Sequence, residues 1–81
     1  MMIRTKRALF VLDDENSDGF IQHYRTEVDL MELEIQIDNT MQPPYFQIFR
    51  WFKEGKRKLN ERLFASSNLE KIIDFVNEYL G

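Results

Sequence analysis

The sequence contains no cysteine and only one histidine, three glycines and two prolines among its 81 residues. Without cysteine, neither disulfides nor thiolate metal ligands can support a small core, so stability has to come from packing. The longest apolar runs, such as residues 8–12, are much shorter than the roughly 20 residues that a membrane helix needs. Nothing in the sequence resembles a signal peptide. These absences predict a cytoplasmic protein that does not enter a membrane.

Patterns that carry catalysis are also scarce. His23 has no serine or cysteine nucleophile motif around it, and the sequence has no glycine-rich phosphate loop. Glu32 and Glu34 could act as an acid and a base, but they fall on the polar side of an amphipathic strand pattern, which predicts solvent exposure. The sequence therefore predicts a protein that is not an enzyme and that uses no cofactor.

Residues 14–21 resemble the first eight positions of an EF-hand calcium loop, with Asp14, Asn16 and Asp18 at ligand positions. The last position of such a loop is Arg25 here, a cation where the metal needs a bidentate glutamate. Asp and Asn side chains also form turns by bonding to nearby backbone groups. The segment is therefore predicted to be an acidic turn, and no metal site is expected.

The length suits one domain over residues 1–81, with 43% hydrophobic and 14% aromatic residues. Residues 1–7 show little apolar pattern and are predicted to be a frayed or lightly paired start. A C-terminal helix is predicted over residues 67–80, because Ser67 and Glu70 form a capping box. Apolar residues then recur at helical spacing and form one stripe: Leu69, Ile72, Ile73, Val76, Tyr79 and Leu80.

Period-2 alternation and turn residues predict the strands. The predicted strands run from Ala8 to Asp13, Phe20 to Val28, Glu32 to Asp38 and Tyr45 to Lys53, with a last strand that ends at Ala65. The alternation of apolar and polar residues changes phase between Val28 and Glu32, and a bulge or tight bend near residues 29–31 explains this change. The alternative interpretation is a helix over residues 27–35. The sequence thus predicts an α+β fold, with an antiparallel sheet of four or five strands and one C-terminal helix packed on one face.

The strand from Tyr45 to Lys53 carries aromatic residues on both of its faces. Alternation places Phe46, Ile48, Arg50 and Phe52 on one face and Tyr45, Gln47, Phe49, Trp51 and Lys53 on the other. Because a small core needs only one of these faces, the other is predicted to bind a ligand or a second copy of the chain.

Aromatic rings beside basic side chains are typical of proteins that bind single-stranded nucleic acid, where the rings stack on bases and the cations contact phosphates. The predicted nucleic-acid-binding residues are Tyr45, Phe49, Arg50, Trp51, Lys53, Lys56, Arg57, Lys58 and Arg62. In the alternative interpretation, the rings are core residues and the lysines only keep a turn soluble.

The formal net charge is -3, and acidic residues concentrate between Asp13 and Asp38, where Arg25 is the only lysine or arginine. A second hypothesis is therefore a small acidic regulator or inhibitor that binds a basic protein partner and imitates a polyanion. The residues predicted for that role are Glu27, Asp29, Glu32, Glu34 and Asp38. A homodimer held by the opposed acidic and basic segments is a third hypothesis.

The layout from Leu33 to Leu80 resembles the positive-cofactor-four-like single-stranded DNA-binding domains. The resemblance is carried by Pro44, Tyr45, Ile48, Arg50 and Trp51. It implies a curved sheet with a helix, a dimer, and single-stranded DNA as the ligand. Residues 58–61 depart from the family, which has a Lys-Gly step before its last strand.

Overall fold

The sheet is a meander in which each strand pairs antiparallel with the next strand along the chain. The structure, a computed structural model, describes residues 1–81 and contains six strands and one C-terminal helix. The elements are β1 (Met2–Arg4), β2 (Leu9–Leu12), β3 (Ile21–Val28), β4 (Met31–Asp38), β5 (Tyr45–Glu54), β6 (Arg57–Ser66) and α1 (Leu69–Leu80), with a 3-10 turn at Asp14–Asn16.

The antiparallel sheet and the single C-terminal helix confirm the predicted α+β class, but the predicted number of four or five strands is wrong. The additional strand is β1, which lies in the segment predicted to be frayed or lightly paired. Ile3 pairs with Phe10 of β2, and its side chain is only 8% exposed. Burial of this side chain helps to hold the short strand on the sheet, since a buried isoleucine contributes about 1.5–3 kcal/mol.

A tight turn joins β3 to β4 at the position where the sequence changes phase. Asp29 and Leu30 both have positive φ, 51° and 66°. Positive φ at both central residues gives a turn whose twist matches that of the flanking strands. The predicted tight bend is confirmed, and the alternative helix over residues 27–35 is wrong.

The helix packs on one face of the sheet and buries Ile72, Val76 and Leu80 there. The core consists of Ile3, Phe10, Tyr24, Leu33, Ile35, Ile48, Ile72, Val76 and Leu80. The end of α1 is also tied to the turn between β1 and β2, where the Lys6 backbone N–H donates to Asn77 Oδ1 at 2.8 Å and Arg7 donates to the Leu80 carbonyl. The opposite face of the sheet carries no helix.

The helix begins at Leu69, whereas the predicted range began at residue 67, and its N-cap is Asn68 rather than Ser67. The Asn68 side chain accepts a hydrogen bond from the Glu70 backbone N–H at 2.9 Å. Asn68 is itself positioned by Ser66, whose hydroxyl oxygen accepts from the Asn68 backbone N–H at 3.0 Å.

Asn68→Ala is therefore expected to lower the free energy of unfolding by about 1 kcal/mol, because it leaves a helix N–H without its acceptor. Ser67→Ala is the matched control and should change stability by less than about 0.5 kcal/mol. Urea unfolding followed by circular dichroism measures both. Equal losses of stability in the two variants would contradict this assignment of the cap.

Candidate functional site on the helix-free face

The helix lies on one side of the sheet, and the side chains that β3, β4, β5 and β6 direct to the other side form the surface that we call the helix-free face. The predicted alternation along β5 is confirmed, since Ile48 lies in the core while its neighbours Gln47 and Phe49 point to the other side. Strand register extends this face across the sheet. Its members are Ile21, His23, Arg25, Glu27, Glu32, Glu34, Gln36, Asp38, Tyr45, Gln47, Phe49, Trp51, Lys53, Lys58, Asn60 and Arg62.

Glu34 lies at the centre of this face, and its side chain is fully buried. Its Oε2 accepts from Gln36 Nε2 at 2.6 Å and lies 2.9 Å from His23 Nδ1, which can donate because a carboxylate only accepts. Its Oε1 accepts from Trp51 Nε1 at 3.1 Å and lies 3.0 Å from Arg25 Nε. The prediction that Glu34 is solvent exposed is wrong, because neighbours on three strands cover it.

Arg25 supplies the positive charge nearest to this buried carboxylate. Its Nε lies 3.0 Å from Glu34 Oε1 and 3.4 Å from Asp13 Oδ2, but makes an aligned hydrogen bond with neither. Arg25 is therefore held between two carboxylates by charge rather than by directed hydrogen bonds. Its guanidinium carbon lies 5.7 Å from the centre of the Trp51 ring.

Trp51 is the most constrained ring of the face. Its indole N–H is bonded to Glu34, and two cations approach the ring: Arg25 and Lys58, whose Nζ lies 5.6 Å from the ring centre. Lys58 is held in turn by both carboxylate oxygens of Glu32, at 3.0 and 3.1 Å. Cation–π contacts of this kind are worth about 0.5–1 kcal/mol at exposed sites. The ring is therefore held between two cations, each of which lies beside a carboxylate.

The structure brings six of the nine predicted nucleic-acid-binding residues to this face: Tyr45, Phe49, Trp51, Lys53, Lys58 and Arg62. Arg62 donates to Gln47 Oε1 at 3.3 Å. Lys56 lies in the β5–β6 turn and Arg57 directly follows it, so both extend the basic surface at the hairpin tip.

Arg50 is exposed on the helix side of β5 and does not share the face with Trp51. A depression of about 350 Å³ beside the β3–β4 turn nevertheless has Arg50, Trp51, Lys53 and Lys58 on its rim. Arg50 therefore reaches the same end of the sheet from the other side.

The acidic residues of the second hypothesis do not form one exposed group. Glu34 is buried, Glu32 is paired with Lys58, and the Asp29 carboxylate lies 3.7 Å from Arg7. Asp38 accepts hydrogen bonds from the backbone and the hydroxyl of Thr40. Glu27 is exposed and has no ion-pair partner.

In the loop that resembles an EF-hand, Asp18 is bonded within the protein, as is Asp13 directly before the loop. Asp18 accepts from the backbone N–H groups of Phe20 and Ile21 at 2.7 and 2.8 Å, and these bonds lower the pKa of Asp18. A hydrogen bond from Asn16, at 2.8 Å, is the main cause that lowers the pKa of Asp13. No group of three or more histidine, aspartate or glutamate side chains is arranged to hold a metal ion.

Sequence reasoning missed the contributions of His23, Arg25 and Gln36 to the face. The sequence does contain a pattern that predicts these positions. If a two-residue turn at Asp29 and Leu30 is assumed, Arg25 falls opposite Glu34 and His23 falls opposite Gln36, as the register shows. Opposite charges that face each other on neighbouring antiparallel strands stabilise the pairing.

No family model, no curated protein and no solved structure matches this chain. The resemblance to the positive-cofactor-four-like domains therefore stays a prediction. Helix α1 is too short and too polar to cross a membrane.

Proposed function

We propose that the protein is a non-enzymatic module that binds single-stranded nucleic acid through the helix-free face. One observation carries the proposal: Tyr45, Phe49 and Trp51 project from one strand on the side that the helix leaves uncovered, and each ring is only half-buried. At about 3.4 Å per residue, the three rings form a row about 20 Å long. Such a row supports stacking by several bases, because every base presents a π-face.

The helix-free face carries as many carboxylates as cations, but several of its cations lie close to the rings, where they can contact phosphates. Lys53, Lys58 and Arg62 lie beside the rings, and Arg25 lies over Trp51. The two carboxylates nearest to Trp51 do not oppose binding strongly, since Glu34 is buried beside Arg25 and Glu32 is paired with Lys58. A nucleic-acid strand stacked on Phe49 and Trp51 would therefore meet cations, whereas the residue opposite Tyr45 is Asp38.

The same pairing makes the acidic-regulator hypothesis the weaker of the two. A polyanion mimic needs several exposed carboxylates close together, whereas three of the five predicted acidic residues are buried or ion-paired. A cytoplasmic location and a homodimer both remain predictions.

Oligonucleotide binding is expected to quench or shift Trp51 fluorescence at low salt and to weaken as salt rises. The double variant Lys53→Gln/Arg62→Gln should make the negative slope of log affinity against log salt less steep, by about one for each phosphate that is no longer neutralised. Lys71→Gln is the matched control, because Lys71 is an exposed lysine on the helix. Trp51 emission that does not change in excess oligonucleotide at low salt would contradict the proposal.

A further inference from the structure

Strand β6 forms an open edge of the sheet. It is ten residues long and pairs only with β5. Most of its residues between Arg57 and Arg62 are exposed. About half of the backbone N–H and C=O groups of an edge strand point away from the sheet and can pair with an added strand. An extended peptide bound in this way gains affinity from main-chain hydrogen bonds and specificity from alternate side chains.

On the helix side, a row of stacked rings runs beside this edge. The ring centres of Phe64 and Phe75 are 5.1 Å apart, and those of Phe75 and Tyr79 are 5.6 Å apart. Phe64 is 36% exposed and Tyr79 is 40% exposed, so both ends of the row remain accessible to a ligand. It offers an apolar wall between β6 and α1, to which alternate side chains of an added strand could pack.

On the other side of the same strand, two side chains are cationic. Lys58 and Arg62 point to the helix-free face, where Lys58 contacts Glu32 and Arg62 contacts Gln47. Neighbouring strands place side chains of the same face next to each other. An added strand would therefore set one side chain against the rings and the next against the cations.

We infer that the outer edge of β6 is a docking site for an extended peptide that alternates apolar and acidic residues. Charge complementarity selects this occupant. A second copy of β6 would bring its Lys58 and Arg62 close to the same two cations, and like charges across strands are destabilising. Basic residues on an edge are also a known protection against self-pairing. The inference goes beyond nucleic-acid binding, because it uses the strand edge and the rings beside the helix.

The test is an amide NMR titration with a synthetic ten-residue peptide of alternating valine and glutamate. Shift changes are expected in residues 57–66 and around Phe75 and Tyr79, with slower hydrogen exchange at the outward amides of β6. A valine-lysine peptide should bind about tenfold more weakly or worse. The variant Arg62→Glu should narrow or reverse that preference, while Glu70→Gln, on the exposed side of α1, should leave it unchanged.

Tyr79→Ala should weaken binding of the valine-glutamate peptide about tenfold, because the apolar wall loses one of its rings. If Tyr79→Ala unfolds, the comparison of the two peptides with the Arg62→Glu variant still tests the inference. Equal affinity for both peptides, or shifts confined to Tyr45 and Phe49, would overturn the inference. Concentration-dependent broadening of β6 signals without peptide would assign the edge to a second copy and overturn it as well. None of these outcomes depends on whether an oligonucleotide changes Trp51 fluorescence.

Discussion

Replacing Glu34 with alanine is expected to lower the free energy of unfolding by about 1.5–3 kcal/mol, the usual contribution of hydrogen bonds to a charged group. The carboxylate is fully buried and is the acceptor for Gln36, Trp51 and His23, with Arg25 at 3.0 Å. Its removal leaves these donors without an acceptor on a crowded sheet surface, and an unsatisfied buried donor costs about 1–3 kcal/mol.

Glu32→Ala is the matched control, since Glu32 lies on the same face of the same strand but makes a more exposed ion pair with Lys58. That change should cost about 1 kcal/mol or less. Urea unfolding measures both variants, and Trp51 emission in folded Glu34→Ala should shift because the indole loses its hydrogen bond. Equal losses of stability for the two glutamates would show that burial gives Glu34 no greater role than Glu32 on this face.

The second large effect separates the two faces of β5. Ile48→Ala is expected to cost about 2–5 kcal/mol, because Ile48 is fully buried and its truncation leaves a cavity beneath the helix. Phe49→Ala should cost less stability, because the Phe49 side chain points to the helix-free face and is only half-buried. For the affinity for oligonucleotide the order is reversed: Phe49→Ala should lose more affinity than Ile48→Ala. Loss of one stacked base, about 1–3 kcal/mol, weakens binding about 5- to 150-fold in Phe49→Ala.

Both variants can be compared by urea unfolding and by oligonucleotide titration at one low salt concentration, with Ile48→Ala studied below its unfolding transition. Folded Ile48→Ala should keep an affinity close to that of the wild type. If Phe49→Ala binds as tightly as the wild type, Phe49 does not stack on a base. If Ile48→Ala weakens binding while folded, the two faces are not independent.

The features that could be read from the sequence are those that depend on neighbours along the chain. The apolar stripe of α1 and the alternation along β5 are local periodicities, so they placed the helix and separated Ile48 from Phe49 correctly. The cap was missed by one residue, because Ser67 and Asn68 are both good caps and the backbone geometry chose between them. Strand β1 was missed because three residues are too few to show a period.

The amino-acid sequence by itself determined the class of fold and the presence of a second aromatic face on β5, because side-chain alternation is a property of each strand alone. Only the tertiary structure decided that Glu34 is buried among His23, Arg25 and Trp51. Those relations depend on the register between strands. The register is set by turn geometry and by the sum of many cross-strand contacts, and no single stretch of chain contains that information.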